Sequence, residues 1–207
     1  MIPQGNLRSW TRQVGDQTYT VSTDPSLIDL DAVNAAYGSD MIYWAKTLDM
    51  ETIKLCVEQS LCFGLYVQKE QPQHESQDGK ATNGTPRQSM VGFARLVTDH
   101  VTFGYLTDVY VLVEHQGKGL GKWMMRCLEE VLASWPYLRR CLLFTRDESA
   151  AKMYRDTIGA RRLQETSTKY LAFMERPGTT LKVLDADEGV NGNGGVVAGE
   201  EVEGEKR

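Results

Sequence analysis

Residues 106–122 read LTDVYVLVEHQGKGLGK, and the fold of the chain turns on them. The first half, from Leu106 to Val113, is rich enough in β-branched and aromatic residues to be a strand. A turn follows, then glycines at 117, 119 and 121, then a helix. That helix carries Leu120, Met124, Leu128, Val131 and Trp135 at spacings of three and four, which is one apolar face toward a core. A strand that passes through such a loop into a helix points several backbone N–H groups at one spot, where the helix dipole adds partial positive charge. The stretch therefore predicts a site for a phosphate-bearing cofactor. Gly117, Gly119 and Gly121 have no Cβ, so the backbone can approach a bulky anion. Gln116 either hydrogen-bonds a phosphate oxygen or braces the loop. Lys118 and Lys122 either add charge beside the anion or are simply solvated.

Three motifs compete for this loop. The dinucleotide fingerprint G-x-G-x-x-G fails because the last gap is one residue short and no second βα unit with a ribose-binding acid follows. The nucleotide-triphosphate loop fails because Gly121-Lys122 is followed by Trp123, which has no hydroxyl for Mg²⁺. The pattern [QR]-x-x-G-x-[GA] is met by Gln116, Gly119 and Gly121. At this point the chain resembles the GCN5-related N-acetyltransferases, the GNAT superfamily. The resemblance extends over roughly residues 18–175. It includes the phrases Cys62-Phe63-Gly64 with Tyr66, Val91 to Asp99, Leu106 to Val111 and Thr145-Arg146-Asp147, a set similar to one branch of small acetyltransferases.

The resemblance implies an α/β (α+β) GNAT fold. Its central sheet is mixed, mostly antiparallel and of about six to seven strands, with helices on both faces. Strands at 102–112 and 139–145, bridged by the helix at 118–133, run parallel and splay at the acetyl-CoA site. Other expected elements are strands at 12–23, 61–68, 90–98, 160–164 and 169–175. Helices are expected at 26–37, after a cap at Asp24-Pro25, at 50–59 and at 148–157. Asp99-His100 reads as a tight turn. Residues 1–11 read as an N-terminal extension and 12–177 as the acetyltransferase domain. Within it, 69–89 is too polar to offset its ordering entropy and reads as a flexible hairpin insertion. Residues 178–207 read as an acidic, disordered tail.

Composition narrows the class. The 207 residues suit one domain with extensions, and 41% hydrophobic content suits a core. No apolar run approaches the ~18 residues of a membrane span, and the first ten residues carry no signal-peptide core. Cys56, Cys62, Cys127 and Cys141 lie in apolar segments without metal spacing, and only three histidines occur. They read as reduced thiols of a cytoplasmic or nuclear protein with no metal. The net charge is −5, and the tail from Gly178 onward, with seven acids against three bases, accounts for four of those charges. The near-neutral remainder gives no case for nucleic acid.

The resemblance also assigns roles. The backbone of Val109, Tyr110 and Val111 pairs with the pantetheine arm, and residues 116–122, Leu120 included, hold the pyrophosphate. Asp108, a carboxylate within a strand, is the candidate base or water relay, an anchor for the substrate amine, or a structural acid. Strand alternation puts it with Tyr110 and Leu112, opposite Val109 and Val111. Tyr154 is the candidate general acid for the leaving thiolate, or a plain core tyrosine. Gly159 follows it by five residues where the family has four. Tyr43 and Trp44 line the acceptor pocket or plug the core. Arg95 forms an ion pair or recognises a carboxylate, and Arg146 lines the cleft or belongs to the cap of the helix at 148–157. The function expected is acetyl transfer to a small primary amine such as an amino sugar, polyamine or amino acid. A protein lysine or N-terminus is the alternative acceptor, a non-catalytic acyl-CoA sensor is the alternative of another class, and a homodimer is compatible with the family.

Overall fold

The computed structural model describes residues 7–68 and 88–163. Six strands form one sheet in the order β1-β2-β3-β4-β5-β6. They are β1 Ser9–Val14, β2 Gln17–Ser22, β3 Leu61–Gln68, β4 Gln88–Thr98, β5 Phe103–Val111 and β6 Arg140–Leu143. Every neighbouring pair is antiparallel except β5 and β6, which run parallel as the intervening helix requires. The helices are α1 Leu30–Tyr37, α2 Met50–Glu58, α3 Leu120–Leu132 and α4 Glu148–Ile158. This is the mixed sheet with helices that the sequence predicts.

Two apolar clusters flank the sheet. One joins α3 and Tyr154 of α4 to Leu61, Phe63, Leu65, Leu96 and Leu106. The other joins α1 and α2 to Cys62, Tyr66, Phe93 and Tyr110. β3 contributes to both, which explains why Leu61 to Val67 is buried without a break and reads as a continuous apolar run. Cys62 and Cys127 are buried thiols, both pushed up to about 12 by desolvation.

Several expected boundaries need correction. Residues 12–23 are not one strand. Gly15, at φ 58°, reverses the chain between Val14 and Gln17, so β1 and β2 are a hairpin whose first strand reaches back into the expected extension. The turn is the pair Gly15-Asp16, a two-residue hairpin signal masked by the alternation on either side of it. The helix at 26–37 is also two pieces. Asp24 caps a 3-10 turn over Pro25–Leu27, and Asp29 separately caps α1 through Ala32 N. β6 stops at Leu143, short of the expected 145. No strand occupies 160–162: Gly159 closes α4 at φ 63°, and the amides of Gly159 and Ala160 both return to the Tyr154 carbonyl. The insertion at 69–89 (apart from its last two residues, which begin β4), the strand at 169–175 and the tail lie outside the described residues.

Candidate active site

The site begins with a bulge. Phe93 pairs with Tyr110 and Arg95 with Thr107, so the single residue Ala94 faces both Asp108 and Val109. Asp108 takes φ 54°, a left-handed conformation that Asp tolerates better than most residues. The extra residue changes which side chains share a face. Leu106 packs in the α3 cluster, while Tyr110, four residues on, packs in the α1 cluster. Plain alternation would put both on one side.

Asp108 is 3% exposed and accepts four hydrogen bonds. One oxygen takes Arg95 Nε at 2.7 Å and Tyr37 Oη at 2.7 Å. The other takes Thr107 Oγ1 at 3.0 Å and Trp44 Nε1 at 3.3 Å. A carboxylate offers about four lone-pair sites, so this one is full. Burial works against the Arg95 charge, but the adjacent carboxylate outweighs it and the guanidinium pKa is raised. Tyr37 is raised by burial and then by Asp108. Asp108, Arg95 and Trp44 were legible as candidates. Tyr37 was not, although its place at the end of α1, on the face of Val33, was the available signal.

Trp44 links this buried group to an exposed one. Its ring meets Tyr43 edge-on with centroids 4.9 Å apart, and the Arg146 guanidinium stands 5.2 Å from the Tyr43 ring centroid. Tyr43 and Trp44 remain 59% and 44% exposed, so they line a surface rather than plug the core. Arg146 comes from the loop between β6 and α4, where Asp147, not Arg146, caps α4 through Ser149 N. Residues from α1, the following loop, β4, β5 and the β6–α4 loop thus meet in one chain of contacts.

The glycine loop forms a second group. Gly119, at φ 72°, precedes α3 as a cap with no side-chain hydrogen bond, and the first turn of α3 contains no acid. The other three helices each start with an Asp cap and an acid in the first turn. The α3 terminus therefore leaves its amides and positive dipole end open to an outside anion. Gln116 braces the loop by donating to the Val111 carbonyl at 2.8 Å. Lys118 folds back to Tyr19 Oη at 3.2 Å and Gln17 Oε1 at 3.4 Å, and His115 Nδ1 lies 2.9 Å from the same phenol. Lys122 is exposed. The bracing by Gln17, Tyr19 and His115 has no signature in the sequence because it joins residues about a hundred positions apart.

Three elements converge beside this loop. A Cβ on Gly121 would lie 3.6 Å from the Met153 sulfur of α4 and 4.0 Å from Val111 Cγ2 of β5. β6 pairs with β5 only from Phe103 to Leu106, so the stretch from Thr107 to Val111 has no strand on that side among the described residues. The parallel pair therefore splays where the glycine loop and α4 meet it. Tyr154, next to Met153, is 8% exposed, and burial, with Asp147 second, pushes its phenol up to about 12. No hydrogen bond or ring contact joins Tyr154 to the Asp108 group among the described residues. Nor are three metal-ligating side chains grouped there, and no helix among them is long and apolar enough to cross a membrane.

Comparison with known proteins agrees with this geometry. The profile of the acetyltransferase (GNAT) family matches residues 42–159, from the aromatic loop to the end of α4. A Gibberella zeae protein named "Putative acetyltransferase FG08082" is 45% identical over 153 residues, covering 72% of this chain and 81% of the relative. The crystal structure of a Xanthomonas campestris pv. campestris protein, "a putative acetyltransferase belonging to the gnat family", aligns with a TM-score of 0.53 at 31% identity. It covers 79% of this chain and 95% of its own. With a curved mixed sheet, a split parallel pair and a glycine-led helix at the split, the chain belongs to the GNAT family and is an N-acetyltransferase.

Proposed function

We propose that the chain acetylates the primary amine of a small metabolite, with acetyl-CoA, the donor generally used by the family, as co-substrate. The observation that supports this reading is the convergence of an acid-free helix start, the stretch of β5 that no strand pairs on that side among the described residues, and α4, which carries the buried Tyr154, beside an aromatic surface linked to Asp108. When bound, the coenzyme supplies an activated thioester and a sulfur leaving group.

The residues fit that partner. The first-turn amides of α3, with Lys122 near them, bind the diphosphate. The open edge from Thr107 to Val111 offers main-chain donors and acceptors to an extended arm, as an added strand would use them. Tyr154 retains its proton through the physiological range and donates it from Oη to the departing sulfur. Tyr43 and Trp44 border the acceptor. Asp108 is a positioning residue here, because its oxygens are occupied and its charge is matched by Arg95. It fixes Trp44, and the acceptor amine loses its proton to solvent before attack.

Isothermal calorimetry with coenzyme A and a thiol-release assay over a panel of amines test the proposal. Gly119→Glu places a carboxylate at the anion site and should abolish coenzyme binding. A Cβ at this position meets nothing within 4 Å, so the backbone cost is the left-handed strain of about 1–2 kcal/mol. Unchanged affinity refutes the loop assignment, and tight binding without turnover on any amine favours a sensor. Asp108→Asn should raise KM while leaving the acid limb of the pH–rate profile in place. A displaced limb returns Asp108 to the role of base.

A further inference from the structure

We infer that the acceptor carries an anionic group, a carboxylate or its equivalent, in addition to the amine, and that Arg146 recognises it. This rests on the acetyltransferase reading above and selects among its acceptor classes.

The charges around the aromatic surface leave one cation over. A site for a polyamine or another purely cationic acceptor needs an anion with free lone pairs. Asp108 is the buried acid nearest that surface, and both its oxygens are filled by Arg95, Tyr37, Thr107 and Trp44. In the neighbouring segment Asp147 caps α4 through one of its oxygens, and Glu148, the first residue of that helix, pairs with Arg162. Asp40 and Lys46 stand three residues before and after Tyr43, so the charges of that loop balance. What remains is Arg146. It forms no ion pair among the described residues, and its guanidinium rests against Tyr43. A planar guanidinium held against an aromatic face keeps its outer N–H groups available, and their fork matches a carboxylate in a bidentate mode. The exposed Tyr43 and Trp44 rings beside it suit the apolar body of such an acceptor.

The test uses acceptors of matched shape, and because an amide lowers the pKa of the neighbouring amine, rates are compared per neutral amine. Thiol release from acetyl-CoA is measured with phenylalanine against phenylalaninamide, β-alanine against β-alaninamide, and putrescine as a dication. The full-length protein should favour the free acids in kcat/KM by about tenfold, the effect of one charged hydrogen-bonded pair. Arg146→Ala should erase that preference through KM with kcat retained. Arg146→Lys should restore part of it, and Arg146→Glu should reverse it. Equal use of acid and amide, a preference for putrescine, or an unchanged ratio in Arg146→Ala overturns the inference while the acetyltransferase reading stands. Binding of the coenzyme with no turnover on any acceptor overturns both. Arg146 is an exposed loop residue, so circular dichroism serves to confirm that each variant is folded.

Discussion

The Arg95–Asp108 pair gives the sharpest test of the architecture. Arg95 Nε and the Asp108 carboxylate are 2.7 Å apart, with side chains 19% and 4% exposed. Removing one member of a buried pair typically costs about 3–5 kcal/mol, because the other is left charged and uncompensated. Arg95 is partly solvated, and Asp108 keeps three neutral donors if Arg95 is lost, so the low end applies: about 3 kcal/mol for Arg95→Met. Asp108→Asn presents an amide where two donors converge and should cost a similar ~3 kcal/mol. The double variant removes both charges. Its loss should fall short of the sum of the singles by about 2 kcal/mol, within the range for residues in direct contact. Urea unfolding at neutral pH of all four proteins measures the cycle. Additive losses, or single variants within about 0.5 kcal/mol of the parent, would show that the pair does not organise the site. A coupled loss accompanied by unchanged KM would show that it organises the fold but not the acceptor surface.

Three further outcomes follow from individual groups. Tyr154→Phe should lower kcat by about a hundredfold with coenzyme affinity retained. Because burial and Asp147 push the phenol up to about 12, the parent should show no falling limb from Tyr154 below about pH 10.5, and a limb that vanishes in the Phe variant contradicts the assignment. The Tyr66 hydroxyl is buried without a hydrogen-bond partner among the described residues, so Tyr66→Phe should be neutral or stabilising by about 1 kcal/mol, and a clear loss in thermal unfolding would reveal a partner. His115 is held below the ordinary imidazole range by burial and then by Lys118. The stability it lends is present above its unfolded value of about 6.5 and lost as pH falls through the lower folded value. His115→Gln should therefore flatten the urea midpoint between about pH 7 and 5, and an identical slope in both proteins refutes this.

The residues that gave the fold away are those whose chemistry is local. The glycine run and the helical spacing of Leu120, Met124 and Leu128 announce α3, and the connection through it forces β5 and β6 to be parallel. Asp147 marks the start of α4. What stayed hidden depends on partners distant in the chain. Nothing in Thr107-Asp108-Val109 signals a bulge, because the extra residue is defined only against Ala94 of another strand. The reversal at Gly15 is hidden because a hairpin turn this short does not disturb the alternation around it. Among the site candidates, Asp108, Arg95, Trp44, Tyr43 and Arg146 do come into contact. Tyr37 joins them across 71 positions, and its helical spacing from Val33 shows the face it occupies but not that it meets Asp108.

The parting of β5 from β6 has an implication for change over time. Where β5 borders the gap it offers main chain, and the Val109 and Val111 side chains pack against the α3 cluster. Replacements at the rim, at Tyr43, Trp44 or Arg146, leave that main chain untouched. On the proposed reading a lineage retunes what it acetylates by trading a few rim residues, while the donor is held through peptide groups that any replacement but proline leaves in place.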